Sequence, residues 1–194
     1  MPLITRDSLM TLERYAKERP AFRAKVMEHK KTRNVGVGEH ITLIFEDELT
    51  VRYQIQEMLR IEKTFEEEGI TEELDAYNPL IPTGREFKAT MMIEYPDPEV
   101  RKVELARLKN VEDKVYVQVE GSEKVYAIAD EDMDRTNEEK TSAVHFLRFP
   151  LNDDMAAALK YGVSLTIGVD HDNYSAAVSP VNQATRDSLA NDLS

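Results

Sequence analysis

The chain has 194 residues, with 25 Lys and Arg against 37 Asp and Glu, and a net charge of −12 at pH 7. A chain of this length buries about 70% of its unfolded surface, and 41% hydrophobic with 32% charged residues excludes collagen-like and predominantly disordered classes. With no cysteine it forms no disulfide, thiolate zinc site or Cys-ligated iron–sulfur cluster, and its negative charge opposes binding to nucleic acid or an anionic membrane.

The opening MPLITRDSLM lacks a basic segment followed by an apolar stretch and a small-residue cleavage site, so the expected compartment is the cytoplasm. No apolar run approaches the ~18 to 20 residues of a spanning helix. Thr5 or Asp7 caps a first helix to about Glu18, and Pro20 suits the first turn of a second. This pair belongs to a basic extension: residues 1–34 hold nine Lys and Arg and four acids, against sixteen and thirty-three in the acidic body, 35–194. Arg23, Lys30, Lys31 and Arg33 are candidates for docking an acidic partner or a phosphate-bearing ligand. The alternative is a solvated face that neutralises the body.

His40 to Asp47, containing ITLIF, reads as a buried strand, and a long amphipathic helix follows from about Glu48 to Glu68, capped by Gly69. Thr71 caps a short helix through about Tyr77, a loop spans the Pro79 and Pro82-Thr83-Gly84 region, and Phe87 to Tyr95 is a strand. Asp97-Pro98-Glu99 starts a helix ending near Asn110. Lys114–Val119 and Glu123–Ala129 alternate as a hairpin around Gly121-Ser122. Ala143–Phe149 and Val163–Val169 are strands joined by a helix capped by Asn152 and stopped at Gly162, and a last helix spans Asn182 to Leu193. The expected architecture is one α+β domain over 1–194: a mixed, largely antiparallel sheet packed by helices, with an N-terminal helical pair.

Four ionisable groups break the apolar patterns. In the long helix Val51, Ile55, Met58, Glu62 and Phe65 share one stripe, so Glu62 stands where leucine is expected. It is read as a metal ligand or general base, or as the partner of a nearby Arg. In Ala143–Phe149, His145 and Arg148 lie on opposite faces of an otherwise apolar strand. Arg148 needs a carboxylate, with Glu62 or Glu57 as candidates. GVDHDNY, from Gly168, carries His171 on the core phase of its strand. Glu62, His145 and His171 together compose a two-His, one-carboxylate set for iron, zinc or manganese. Asp130, Asp132 and Asp134 have calcium-loop spacing, but Arg135 replaces its glycine and Thr141 its terminal Glu, so a solvated acidic turn is expected. Gly36-Val37-Gly38 lacks the third glycine of a dinucleotide loop.

GEHITLIFEDELTVRYQIQEMLRIEK from Gly38, EELDAYNPLIP from Glu72, MIEYPD from Met92, EEKTSAVHFLRF from Glu138 and GVDHDNY together resemble the bacterial family catalogued as domain of unknown function 3501. The resemblance implies a redox or peroxide-defence setting, beside rubrerythrin-like proteins and iron–sulfur oxidoreductases of the glycolate oxidase or heterodisulfide reductase type. It therefore implies an accessory or partner protein, the alternative being a small metal-dependent enzyme or sensor.

Overall fold

The computed structural model describes residues 3–194; Met1 and Pro2, the start of the stretch read for a leader, lie outside it. Two antiparallel sheets carry the fold. The first has the order β1-β2-β3-β7-β6, from β1 (Asn34–Val37), β2 (Ile41–Phe45), β3 (Glu86–Ile93), β6 (Ile128–Ala129) and β7 (Val144–Pro150). The second has the order β5-β4-β8-β9, from β4 (Val115–Val119), β5 (Val125–Tyr126), β8 (Leu165–His171) and β9 (Tyr174–Val178). Alternating side chains from both sheets, among them Leu43, Phe45, Met91, Phe149, Val117 and Ile167, enter one core. Leu105 of α4 (Pro98–Arg107), Leu159 of α5 (Asp153–Lys160) and Leu189 of α6 (Gln183–Ala190) join it. The α+β class expected from sequence is observed, its strands divided between two sheets.

A separate apolar cluster forms among helices, through Val51, Ile55 and Leu59 of α2 (Glu48–Glu62) and Ile70 and Leu74 of α3 (Glu67–Tyr77). The expected N-terminal pair is instead one helix, α1 (Leu12–Lys30), with Pro20 inside it. Thr5 begins only a 3-10 turn, Arg6–Ser8. α1 packs against α2, where Tyr15 donates its hydroxyl to Glu57 Oε1 at 2.7 Å and Arg19 Nε donates to the same oxygen at 2.7 Å. Among the described residues no helix is long and apolar enough to cross a membrane.

The long helix expected to Glu68 stops at Glu62, because Lys63 takes the left-handed conformation (φ 55°). Gly69 is thus inside α3, and the Thr71 hydroxyl donates to the Glu67 carbonyl within that helix. Gly36 and Val37, for which no strand was expected, belong to β1 (Asn34–Val37), and Gly38 (φ 73°) supplies the positive dihedral its turn needs. The expected hairpin is split: Val125 and Tyr126 pair with β4, then the chain passes through buried Ala127 and pairs Ile128 and Ala129 with β7 in the other sheet. That crossover places the residue after it beside β7.

Candidate metal centre

β7 turns His145, Leu147 and Phe149 into the core, leaving Phe146 and Arg148 on its other face. A fully buried imidazole requires partners for both ring nitrogens. The first partner arrives through the crossover. Asp130, just past β6, adopts φ 50°, an uncommon conformation for a residue with a side chain. It is held on both sides: its N–H donates to the Phe146 carbonyl at 2.8 Å, and its Oδ1 accepts the Phe146 N–H at 2.9 Å. The other oxygen, Oδ2, lies 2.5 Å from His145 Nδ1.

On the opposite edge of the ring, Nε2 lies 2.8 Å from Thr141 Oγ1 and 3.0 Å from the Ser142 carbonyl. Behind Thr141 stands Glu112, from the 3-10 turn Val111–Lys114 between α4 and β4. Glu112 Oε2 accepts the Thr141 hydroxyl at 3.1 Å and is 3.9 Å from Nε2, while Oε1 accepts the Thr136 hydroxyl. The Thr141 N–H donates to the Leu105 carbonyl at 3.0 Å, which fixes this segment to the end of α4. Glu112 is only 6% exposed, so its charge needs compensation within the site.

Thr136 and Thr141 donate to Glu112, and Arg135 neutralises the neighbouring acids Asp130 and Asp132. Its guanidinium reaches Asp130 Oδ1 at 3.1 Å, grips Asp132 at 2.6 and 2.7 Å, and lies 4.6 Å from the Phe146 ring centre. Its hydrogen bonds hold the Asp132 carboxyl down to about 2. Asp113 moves the other way: burial first, and then the charge of Glu112, push it above the usual carboxylate range. A cleft of about 440 Å³ opens onto the cluster, with Glu112, Asp113, Asp130 and Asp134 among its walls, facing Lys109 and Arg135. Acids dominate this opening, which favours a cation over an anion.

Glu112, Asp130 and His145 each offer a ligand atom, all within 4.8 Å of one another. One imidazole and two carboxylates, without thiolate, suit zinc, manganese or ferrous iron. Nε2 and Glu112 Oε2 are 3.9 Å apart, about the separation of two ligands of one ion at the usual ~2.0–2.2 Å, and Thr141 Oγ1, 2.8 Å from one and 3.1 Å from the other, would move aside or join the ion. Asp130 on Nδ1 orients the ring, as an outer carboxylate does in His-ligated metal sites.

Of the three residues selected from sequence, only His145 is in this cluster. Glu62 is exposed at the end of α2, because the buried stripe runs through Leu59 and the helix stops before Phe65, itself 72% exposed. His171 Nε2 donates to the Lys109 carbonyl at 3.0 Å and its Nδ1 accepts the Asn173 N–H at 3.1 Å. Asn173 Nδ2 also donates to the Arg107 carbonyl, so the β8–β9 turn satisfies carbonyls at the end of α4. Arg148 pairs bidentately with Glu131, at 2.9 and 2.8 Å, and not with Glu62 or Glu57. Glu57 is held by Arg19 and Tyr15.

The basic candidates separate as well. Arg23 and Lys31 are exposed, and Lys30 Nζ lies 5.6 Å from the Tyr53 ring centre. Arg33 is 1% exposed and cannot dock a partner; it donates to the Phe45 and Glu46 carbonyls and to Asp192. Sequence reading missed Glu112, whose one signal is an acid between the apolar Val111 and Val115. Asp130 was visible only as part of an acidic turn.

A crystal structure of a novel protein of unknown function from Burkholderia pseudomallei K96243 matches with a TM-score of 0.95 at 53% identity, covering 100% of both chains. No curated protein matches the chain. The family described as Protein of unknown function (DUF3501) matches residues 3–193, and the chain belongs to that family.

Proposed function

We propose that the protein binds one divalent transition-metal ion, zinc, manganese or iron, through His145 Nε2 and Glu112, with Asp130 as the outer carboxylate that orients the ring. The observation that carries this reading is the gathering of three ligand atoms within 4.8 Å from three separate segments, at the wall of an acid-lined cleft. His145 Nε2 and Glu112 would hold the ion, while Asp130 on Nδ1 would keep the imidazole oriented. The ion would supply a Lewis-acid centre; the chain's own residues fix the ring and hold Thr136 and Thr141 against Glu112.

The test is elemental analysis of protein purified without chelators, repeated on His145→Ala and Glu112→Gln. About one equivalent of metal, lost in both variants, supports the reading. Native protein that stays metal-free after incubation with each of the three ions refutes it.

A second reading, an accessory partner of a rubrerythrin-like protein or iron–sulfur oxidoreductase, draws support from the exposed Arg23, Lys25 and Lys31 on and beside α1. It requires micromolar, salt-sensitive association that weakens in Arg23→Glu. Absence of that association refutes it.

A further inference from the structure

A different cleft, of about 420 Å³, lies between the outer face of β3 and β7 and the turn that ends α3. Its walls are apolar, from Tyr77, Leu80 and Phe146, and three cationic groups enter it: Lys88, Arg135 and Arg148. The charges are arranged by depth. The side chains of Lys88, Arg135 and Arg148 are 16%, 15% and 31% exposed, whereas those of Glu131 and Asp132, which neutralise the two arginines, are 51% and 56% exposed. Among the charged groups that line the cleft, these three cations are therefore less exposed than Glu131 and Asp132, with Asp130 beside Arg135 and Glu86 beside Lys88 buried behind them.

We propose that this cleft binds a small organic carboxylate with a flat apolar body. The Arg148 fork already holds the Glu131 carboxylate in the bidentate geometry that a ligand carboxylate requires. Glu131 is half in water and returns to it at little cost, since exposed ion pairs contribute little. The Lys88 ammonium, now donating to the Pro79 carbonyl at 2.6 Å, adds a second positive charge. Tyr77, Leu80 and Phe146 receive the ligand body, and the volume suits one or two fused rings. Glu131 thus acts as a built-in competitor, holding the site's place with its own carboxylate.

Isothermal titration calorimetry with 2-naphthoate and its neutral analogue 2-naphthamide tests this, on the full chain, Glu131→Gln and Arg148→Gln. The expected result is saturable 1:1 binding of naphthoate, tightened about tenfold in Glu131→Gln and weakened by at least as much in Arg148→Gln, the scale of a charge-assisted bidentate contact. Naphthamide should bind at least about tenfold more weakly than naphthoate. No saturable binding to either the native chain or Glu131→Gln overturns the proposal, as does equal binding of acid and amide. Glu131 lies at the surface, so its variant reports on the site even if Arg148→Gln fails to fold.

Discussion

Arg33 and Asp192, 159 positions apart, form a bidentate ion pair with almost no solvent contact, Nη2 to Oδ2 at 2.5 Å and Nη1 to Oδ1 at 3.1 Å. The guanidinium also donates to the Phe45 and Glu46 carbonyls, so it joins the end of β2, where the chain enters α2, to the segment after α6. Asp192→Asn leaves a buried cation and should cost ~3 kcal/mol, the lower end for breaking a buried pair, because Asp47 stands 3.5 Å away. Urea denaturation checks this at pH 8, where Asp192, pushed by burial up to about 6, is ionised. Replacing both partners, Arg33→Met with Asp192→Leu, should cost much less than either single change. A double variant as unstable as the singles would contradict that account.

Glu57 sets an acid limit on the helical layer. Hydrogen bonding from Arg19, and then from Tyr15, holds its carboxyl below the ordinary 4.5 despite burial. A carboxyl lowered on folding adds stability above its unfolded value, and that stability is lost as pH falls through the folded value. Between pH 7 and pH 3, native protein should therefore lose more stability than Glu57→Gln. Parallel losses in denaturant titrations at the two pH values would contradict this.

Pro20 lies inside α1 and is exposed. Proline there donates no backbone hydrogen bond and crowds the preceding turn, at a cost of ~3 kcal/mol in an ideal helix. Pro20→Ala should raise stability by ~1–3 kcal/mol, visible as a higher denaturation midpoint with an unchanged slope. An unchanged midpoint would mean that proline costs nothing at this position of α1.

Metal binding is linked to folding. An ion bound by the native state alone adds about 2.7 kcal/mol when its concentration is a hundredfold above Kd. Zinc, manganese or ferrous iron should therefore raise the melting temperature of native protein, but not that of Glu112→Gln or His145→Ala. Equal shifts in all three would place the ion elsewhere.

The legible parts of the sequence were those governed by local chemistry. Asp97 and Asn152 cap their helices as their positions imply, accepting from Glu99 and Val100 and from Met155. β7 was readable from its apolar run, and His145 and Arg148 do face opposite sides. What failed was local pattern extended past a conformational stop: Glu62 fits the helical stripe only if the helix continues, and Lys63 ends it through a left-handed turn that a lysine does not advertise. Glu112 and Asp130 were hidden for another reason. Each reaches His145 through tertiary topology, one through a 3-10 turn and the other through a strand that changes sheets, and no periodicity encodes either approach.

The passage through Ala127 has a mechanical consequence. Because five consecutive residues are stitched first into one sheet and then into the other, neither layer can peel away while its neighbour stays intact. Amide protons of Val117 and Leu147, on opposite sides of that seam, should exchange with deuterium at a common, globally limited rate, and the two layers should come apart as one unit.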